Sequence, residues 1–235
     1  MRFVGERRAF AAVTFAFYFV YLALVLLSGA LPPEMKPMMA ALAGVYGLAF
    51  FGLVAGYFWA RWYAVGVGLW GVILGALLLW QGGVHPLFLF IGGSHLVATL
   101  LLWGDSMSQS YDGQMQWRER FHMDENAVHR LGKSVIRAGV YLPFVLLYAL
   151  QPKPPGAGFV VALIALASTG VGLRGLVRAK TWGVLAIGAA GAMMLAIAAG
   201  EAISGNESLV LDPALAGAGL LSAAAPWARS IARAL

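Results

Sequence analysis

The chain has 235 residues, 61% of them hydrophobic and only 11% charged, with a mean hydropathy of +0.80 and a formal net charge of +6. A soluble domain carries roughly a quarter charged residues, so the composition excludes a water-covered globule and requires membrane spans of about 20 residues each. The absence of cysteine excludes disulfides, thiol redox chemistry and cysteine-held metals. The basic balance fits a cytoplasmic excess of Lys and Arg better than nucleic-acid binding. The Ala, Gly and Leu load fits a GC-rich bacterial genome.

In chain order, the apolar runs predict eight spans, at about 10–28, 38–60, 62–81, 84–103, 134–150, 158–174, 181–200 and 209–227. None has a sustained polar face, and a backbone in lipid must satisfy its own hydrogen bonds, so the spans are helices. The first run has Arg7 and Arg8 before it and Ser28, Gly29 and Ala30 after it, as a signal peptide would. Its apolar core of about 19 residues is longer than the usual 7–15, so it reads as a retained span.

Orientation follows from the basic residues. With the N-terminus in the cytoplasm, the outer segments keep only Lys36 and Lys153, and all the other Lys and Arg residues lie inside. This bias predicts an inner-membrane protein with both termini cytoplasmic. Arg61, between Trp59 and Trp62, marks a tight cytoplasmic turn. Trp59, Trp62, Trp103, Trp182 and Trp227 are expected as anchors at the inner headgroup level, and Trp80 at the outer one. Trp70 lies inside the third span and needs a neighbour for its N–H.

A later stretch echoes this one. Trp62, Gly68, Gly71 and Ala76 recur as Trp182, Gly188, Gly191 and Ala196, each 120 positions on. Ala30, Leu31 and Pro33 recur as Ala149, Leu150 and Pro152, each 119 positions on. The expected architecture is therefore an all-α membrane protein, a bundle of about eight transmembrane helices in two parallel four-helix repeats. The first half is 1–103 and the second 134–235. Residues 104–133 form a cytoplasmic linker with an interfacial amphipathic helix.

Between helices in lipid, close packing through small residues replaces the hydrophobic drive. Gly188, Ala192, Ala196 and Gly200, spaced by four, form such a ridge in the seventh span. Gly52 and Gly56 form a shorter one in the second, with Gly44 and Gly47 before them, and Gly71 and Gly75 stand in the third. These faces suit contacts within the fold or with another subunit. The first span's Phe15, Phe17, Tyr18, Phe19 and Tyr21 read as lipid-facing or groove-filling.

Function inside a bilayer usually announces itself as an ionisable group held at depth. No Asp, Glu, Lys or Arg falls at mid-depth, which argues against a carboxylate proton relay. The nearest candidate is His95, halfway along the fourth span, with Ser94 beside it and Thr99 one turn on; Tyr46 and Tyr141 are the other polar tips suited to a pocket or pore. The plainer reading of His95 is a hydrogen bond to a neighbouring helix. A haem would need a second axial ligand that His85, about 15 Å away on the same helix, does not supply. In the linker, His122, Glu125 and His129 would share one helix face and suit zinc or iron. A helix on the anionic inner leaflet, or a partner dock, is the plainer account. No P-loop, dinucleotide, zincin or nucleophile-elbow motif occurs.

Three functions follow. The first is a non-enzymatic subunit or scaffold of a membrane assembly, whose partners are the bilayer and other membrane subunits or copies of itself, with no cofactor. The second is a transporter or channel for a small, weakly charged solute, with a cavity between the halves. The third is a redox protein holding haem or a divalent metal, or a lipid-active enzyme, using His95 or the His122, Glu125 and His129 face.

Overall fold

The computed structural model describes residues 3–111, 114, 116, 119, 125–152, 157–178, 180–206 and 209–227. It is all-helical, without strands among these residues. Among the described residues nine α-helices follow in order: α1 (Val4–Leu27), α2 (Lys36–Ala55), α3 (Ala60–Gly82), α4 (Pro86–Leu101), α5 (Asp105–Tyr111), α6 (Glu125–Leu150), α7 (Ala157–Val177), α8 (Thr181–Ile203) and α9 (Leu211–Ala224). Among the described residues six helical stretches are long and apolar enough to cross a membrane, or seven if α4 and α5 are one broken span. The chain is thus a multi-pass helical membrane protein. The fourth and eighth expected spans are α-helical only over 16 and 14 residues, the eighth continuing as a 3-10 turn at Ala225–Trp227, short of the roughly 20 that a perpendicular crossing needs.

The chain forms two compact units. The first contains α1, the body of α2 from Met39, α3, α4 and α5; the second contains α6 to α9. In the first, α2 meets α1 where Phe19 covers Gly47, and meets α3 where Ala60 lies on Gly52. α4 closes the ring against α3 and α1. In the second, α6, α7, α8 and α9 contact one another in a closed ring.

Helix boundaries follow local chemistry. His85 caps α4, its Nδ1 accepting from the Leu87 N–H at 3.2 Å, and Pro86 takes the first helical position, where the missing N–H costs nothing. Gly56, at φ +73°, ends α2 in a conformation that L side chains avoid. The tight turn before Arg61 therefore runs from Gly56 to Trp59, and Arg61 lies in the first turn of α3. Gly104, at φ +101°, stands between α4 and α5, whose axes differ by 75°. The expected linker is helical in part: α5 covers Asp105–Tyr111, and α6 begins at Glu125 and buries Val128 and Leu131.

Arginines bind the carbonyls that end neighbouring helices. Arg7 donates to the carbonyls of Leu100, Leu101 and Trp103 at the end of α4, and to the Ser106 hydroxyl. Arg8 donates to Leu53 and Val54 at the end of α2 and lies over the Tyr111 ring. Arg61 donates to the Leu102 carbonyl and to Ser108 on α5. In the second unit, Arg137 donates to the Ser222 carbonyl of α9 at 2.6 Å. Final-turn carbonyls have no partner within their own helix and carry the negative end of its dipole, so a guanidinium suits them. The residues that set the charge bias also secure the ends of the bundle.

The tryptophans expected at the interface divide. Trp103 and Trp182 are exposed and Trp59 is half-buried, but Trp62 is only 2% exposed. The expectation for Trp62 is corrected: it is a core residue, because the turn ends early enough to carry it inside α3. Trp227 is half-buried, donates to Ser134 at 2.9 Å and lies under Arg130.

Candidate functional site

The seam between α3 and α4 is built on glycines. A Cβ on Gly71 would stand 2.0 Å from the His95 ring, one on Gly68 would stand 2.2 Å from the Thr99 hydroxyl, and one on Gly75 would stand 2.5 Å from the Gly92 Cα. The two antiparallel helices therefore touch nearly backbone to backbone, and the imidazole lies in the gap left by the missing side chain of Gly71. His95 is fully buried. Gly71 and Gly75 supply this contact as their spacing predicted.

Around His95 stand groups from all four long helices of the first unit. Tyr18 of α1 lies 4.4 Å from it, centroid to centroid, and stacks on Tyr46 of α2 at 5.1 Å. Trp70 of α3 lies 6.3 Å from Tyr46. The Ile91 carbonyl is 2.7 Å from His95 Nδ1 and 3.1 Å from the Ser94 hydroxyl. A carbonyl only accepts, so in the neutral ring Nδ1 carries the proton and Nε2 is free to accept. The Tyr46 hydroxyl, 2.8 Å from Nε2, then donates to it. Ser94 donates its own proton to Ile91 and therefore accepts from the Tyr18 hydroxyl at 2.7 Å.

Both arms thus end on one main-chain carbonyl, which has no proton to pass on. In this arrangement the cluster is a pair of interhelical ties rather than a proton wire. It joins α1 and α2 to α4, where interhelical hydrogen bonds in membranes contribute on average about 0.6 kcal/mol each. Both ring nitrogens of His95 are occupied, so ligation of iron would first break one of these bonds. Among the described residues of the same unit two buried polar groups are left over, the Trp70 N–H and the Thr99 hydroxyl, which have no partner there.

The expected site residues fall into separate places. His95, Ser94, Thr99 and Tyr46 belong to the first unit, and His95, Ser94 and Tyr46 form one hydrogen-bonded cluster with Tyr18. Tyr141 belongs to the second unit, where its ring lies against Gly219 and Phe144. Glu125 and His129 are exposed on α6, and His122 lies outside the described residues. Among the described residues no group of three or more His, Cys, Asp or Glu side chains is disposed to hold a metal.

The small-residue ridges also divide. Gly47, Gly52 and Gly56 meet Phe19, Ala60 and Arg8, but Gly44 faces open space. On α8, Gly188 makes one ordinary contact with Ala224, while Ala192, Ala196 and Gly200 are exposed. The packed face of α8 is instead Gly183, Val184, Ile187, Ala190, Gly191 and Met194.

Sequence reasoning missed the polar role of Tyr18, grouping it with aromatics read as lipid-facing or groove-filling. The signal was present: Ala11, Phe15 and Tyr18 recur at i, i+4 and i+7, and all are buried, while Phe17 and Tyr21 are exposed.

In comparison with known proteins, the chain matches no family model, no curated protein and no solved structure.

Proposed function

We propose that the protein is a non-enzymatic subunit of an inner-membrane assembly, with eight crossings in two four-helix repeats and both termini in the cytoplasm. The observation that carries this reading is the exposed face of α8 at Ala192, Ala196 and Gly200. Small residues spaced by four let another helix approach closely in lipid, and among the described residues this face has no such neighbour. The self-contained hydrogen bonding around His95 supports the non-enzymatic part. The repeat reading rests on the residues recurring 120 and 119 positions apart, and on the same ring order of four helices in each unit.

The cysteine-free chain gives a clean test. Single cysteines at Ala196 and, as a control on another exposed face, at Val160 of α7 are cross-linked in native membranes. The subunit reading expects a discrete larger species from Ala196→Cys alone. Equal behaviour at both positions, together with a monomeric mass on gentle extraction, would refute it.

A second reading, passage or binding of a small, weakly charged solute, is favoured by the unpartnered Trp70 N–H and Thr99 hydroxyl. A buried polar group without a partner costs about 1–3 kcal/mol, which a hydrogen-bonding solute would recover. An extra small mass retained by the purified chain, and lost in Trp70→Phe, would support that reading over the first.

A further inference from the structure

Cations at the helix ends differ in what they meet. Arg7, Arg8, Arg61 and Arg137 donate to main-chain carbonyls of neighbouring helices. At the α7–α8 corner, Arg174, Arg178 and Lys180 are exposed, and among the described residues their side chains have neither a hydrogen-bond acceptor nor an opposite charge. The corner is closed without those side chains: the Arg178 and Lys180 main-chain N–H groups both donate to the Gly175 carbonyl, at 3.1 and 2.9 Å. Trp182 of α8 covers Gly175, the residue after Arg174, and is 45% exposed.

These cations continue one side of α7. Ala165, Thr169 and Gly172 are buried, whereas Val160, Ile164, Ala167, Val171 and Arg174 are exposed. The exposed set recurs at i, i+4, i+7, i+11 and i+14, a single helix side, and Arg178 follows four residues after Arg174. From Arg174 back to Ile164 is about 15 Å along the axis, half of a hydrocarbon core about 30 Å thick. Two guanidiniums this close in sequence repel each other, and their long stems let both heads reach the headgroup layer. A phosphate between them removes the repulsion. A zwitterionic headgroup also brings a cation of its own, which the corner repels; a headgroup of net negative charge does not. We propose that this side of α7 binds an anionic phospholipid of the leaflet in which α7 ends. Its phosphate lies between Arg174 and Arg178, and one acyl chain runs along Val171, Ala167 and Ile164. Lys180 adds a third positive charge at the same corner.

The test reads the lipids beside this face in the full-length protein. A fluorophore is attached at Gly170→Cys, where a side chain meets open space next to Val171. A second variant carries it at Val97→Cys, exposed near the end of α4, where the neighbouring Arg7 is engaged. Both are placed in nanodiscs of phosphatidylcholine and phosphatidylglycerol, with bromine quenchers on the acyl chains of one lipid or the other. Phosphatidylglycerol is expected to be enriched at Gly170→Cys by about fivefold per guanidinium, the effect of one charge near the membrane surface. Quenching at Val97→Cys is expected to follow the bulk mixture. Arg174→Gln with Arg178→Gln is expected to abolish the enrichment, and Arg174→Lys with Arg178→Lys to keep it. No enrichment at Gly170→Cys, or equal enrichment at Val97→Cys, would overturn the proposal. So would enrichment that survives the Gln pair, that is lost in the Lys pair, or that soluble glycerol phosphate removes.

Discussion

The α3–α4 seam of the first unit and the α8–α9 seam of the second start from glycines at matching spacing and fill the gap differently. Gly71 receives an imidazole. Gly191, 120 positions on, receives main chain: a Cβ there would stand 2.9 Å from the Leu221 N and 3.0 Å from the Gly217 O. The facing helix decides the difference. α4 presents His95, which needs room and a partner; α9 presents Gly217, which lets the backbones close. A glycine in a membrane helix thus marks an absence of volume, and its use depends on what lies opposite.

The largest expected effect separates the two seams directly. Gly71→Ala displaces a buried ring that has nowhere to go, and is expected to cost about 3 kcal/mol, the upper range for overpacking. Gly191→Ala overlaps its neighbours less, but what it meets is main chain, so α8 and α9 must part to admit it; its cost is expected to be smaller than that of Gly71→Ala, about 2 kcal/mol. Gly188→Ala, 3.8 Å from Ala224, is expected to be nearly neutral. Thermal unfolding of the purified protein checks the order, and a Gly191→Ala variant as damaged as Gly71→Ala would erase the distinction.

A smaller effect tests whether the His95 tie is specific to the first unit. Tyr46→Phe and His95→Leu each leave one buried partner unpaired, and a double-mutant cycle isolates the bond between them. The coupling is expected near 0.6 kcal/mol and not above about 1.7 kcal/mol, the range for interhelical hydrogen bonds in membranes. Zero coupling would mean that the hydroxyl and the imidazole do not interact in the folded protein.

The smallest effect concerns helix ends. Arg137→Gln removes one charged cap from α9, whereas Arg7→Gln removes a side chain that reaches three carbonyls at the end of α4. Loss of a cation at a helix C-terminus costs about 0.3–1 kcal/mol. Arg7→Gln is expected at or above the top of that range and Arg137→Gln within it, on the same thermal scale. The reverse order would show that the number of carbonyls reached is not what matters.

Much of the fold was legible because lipid imposes a simple rule on sequence. Long apolar runs become helices, and Gly56, Gly104 and the capped His85–Pro86 pair mark their ends. His95 and Ser94 were recognisable as polar groups within an apolar run. The bond from Tyr46, the stacked Tyr18 and the carbonyl of Ile91 were not, since they come from three helices whose rotations are set by packing. Likewise, the arginines were legible as charge but not as caps, because a cap is defined by the end of a different helix.

What the sequence by itself determined is the membrane class, the approximate helices and the polar residues available at depth. These depend on hydrophobicity and local backbone preference, which each segment carries alone. Only the tertiary structure decided which face of each helix is used. It buried Trp62, exposed Ala192 and Ala196, and turned Tyr18 inward. Small and aromatic residues suit lipid and protein neighbours almost equally well, so their placement depends on shape across helices rather than on affinity for solvent.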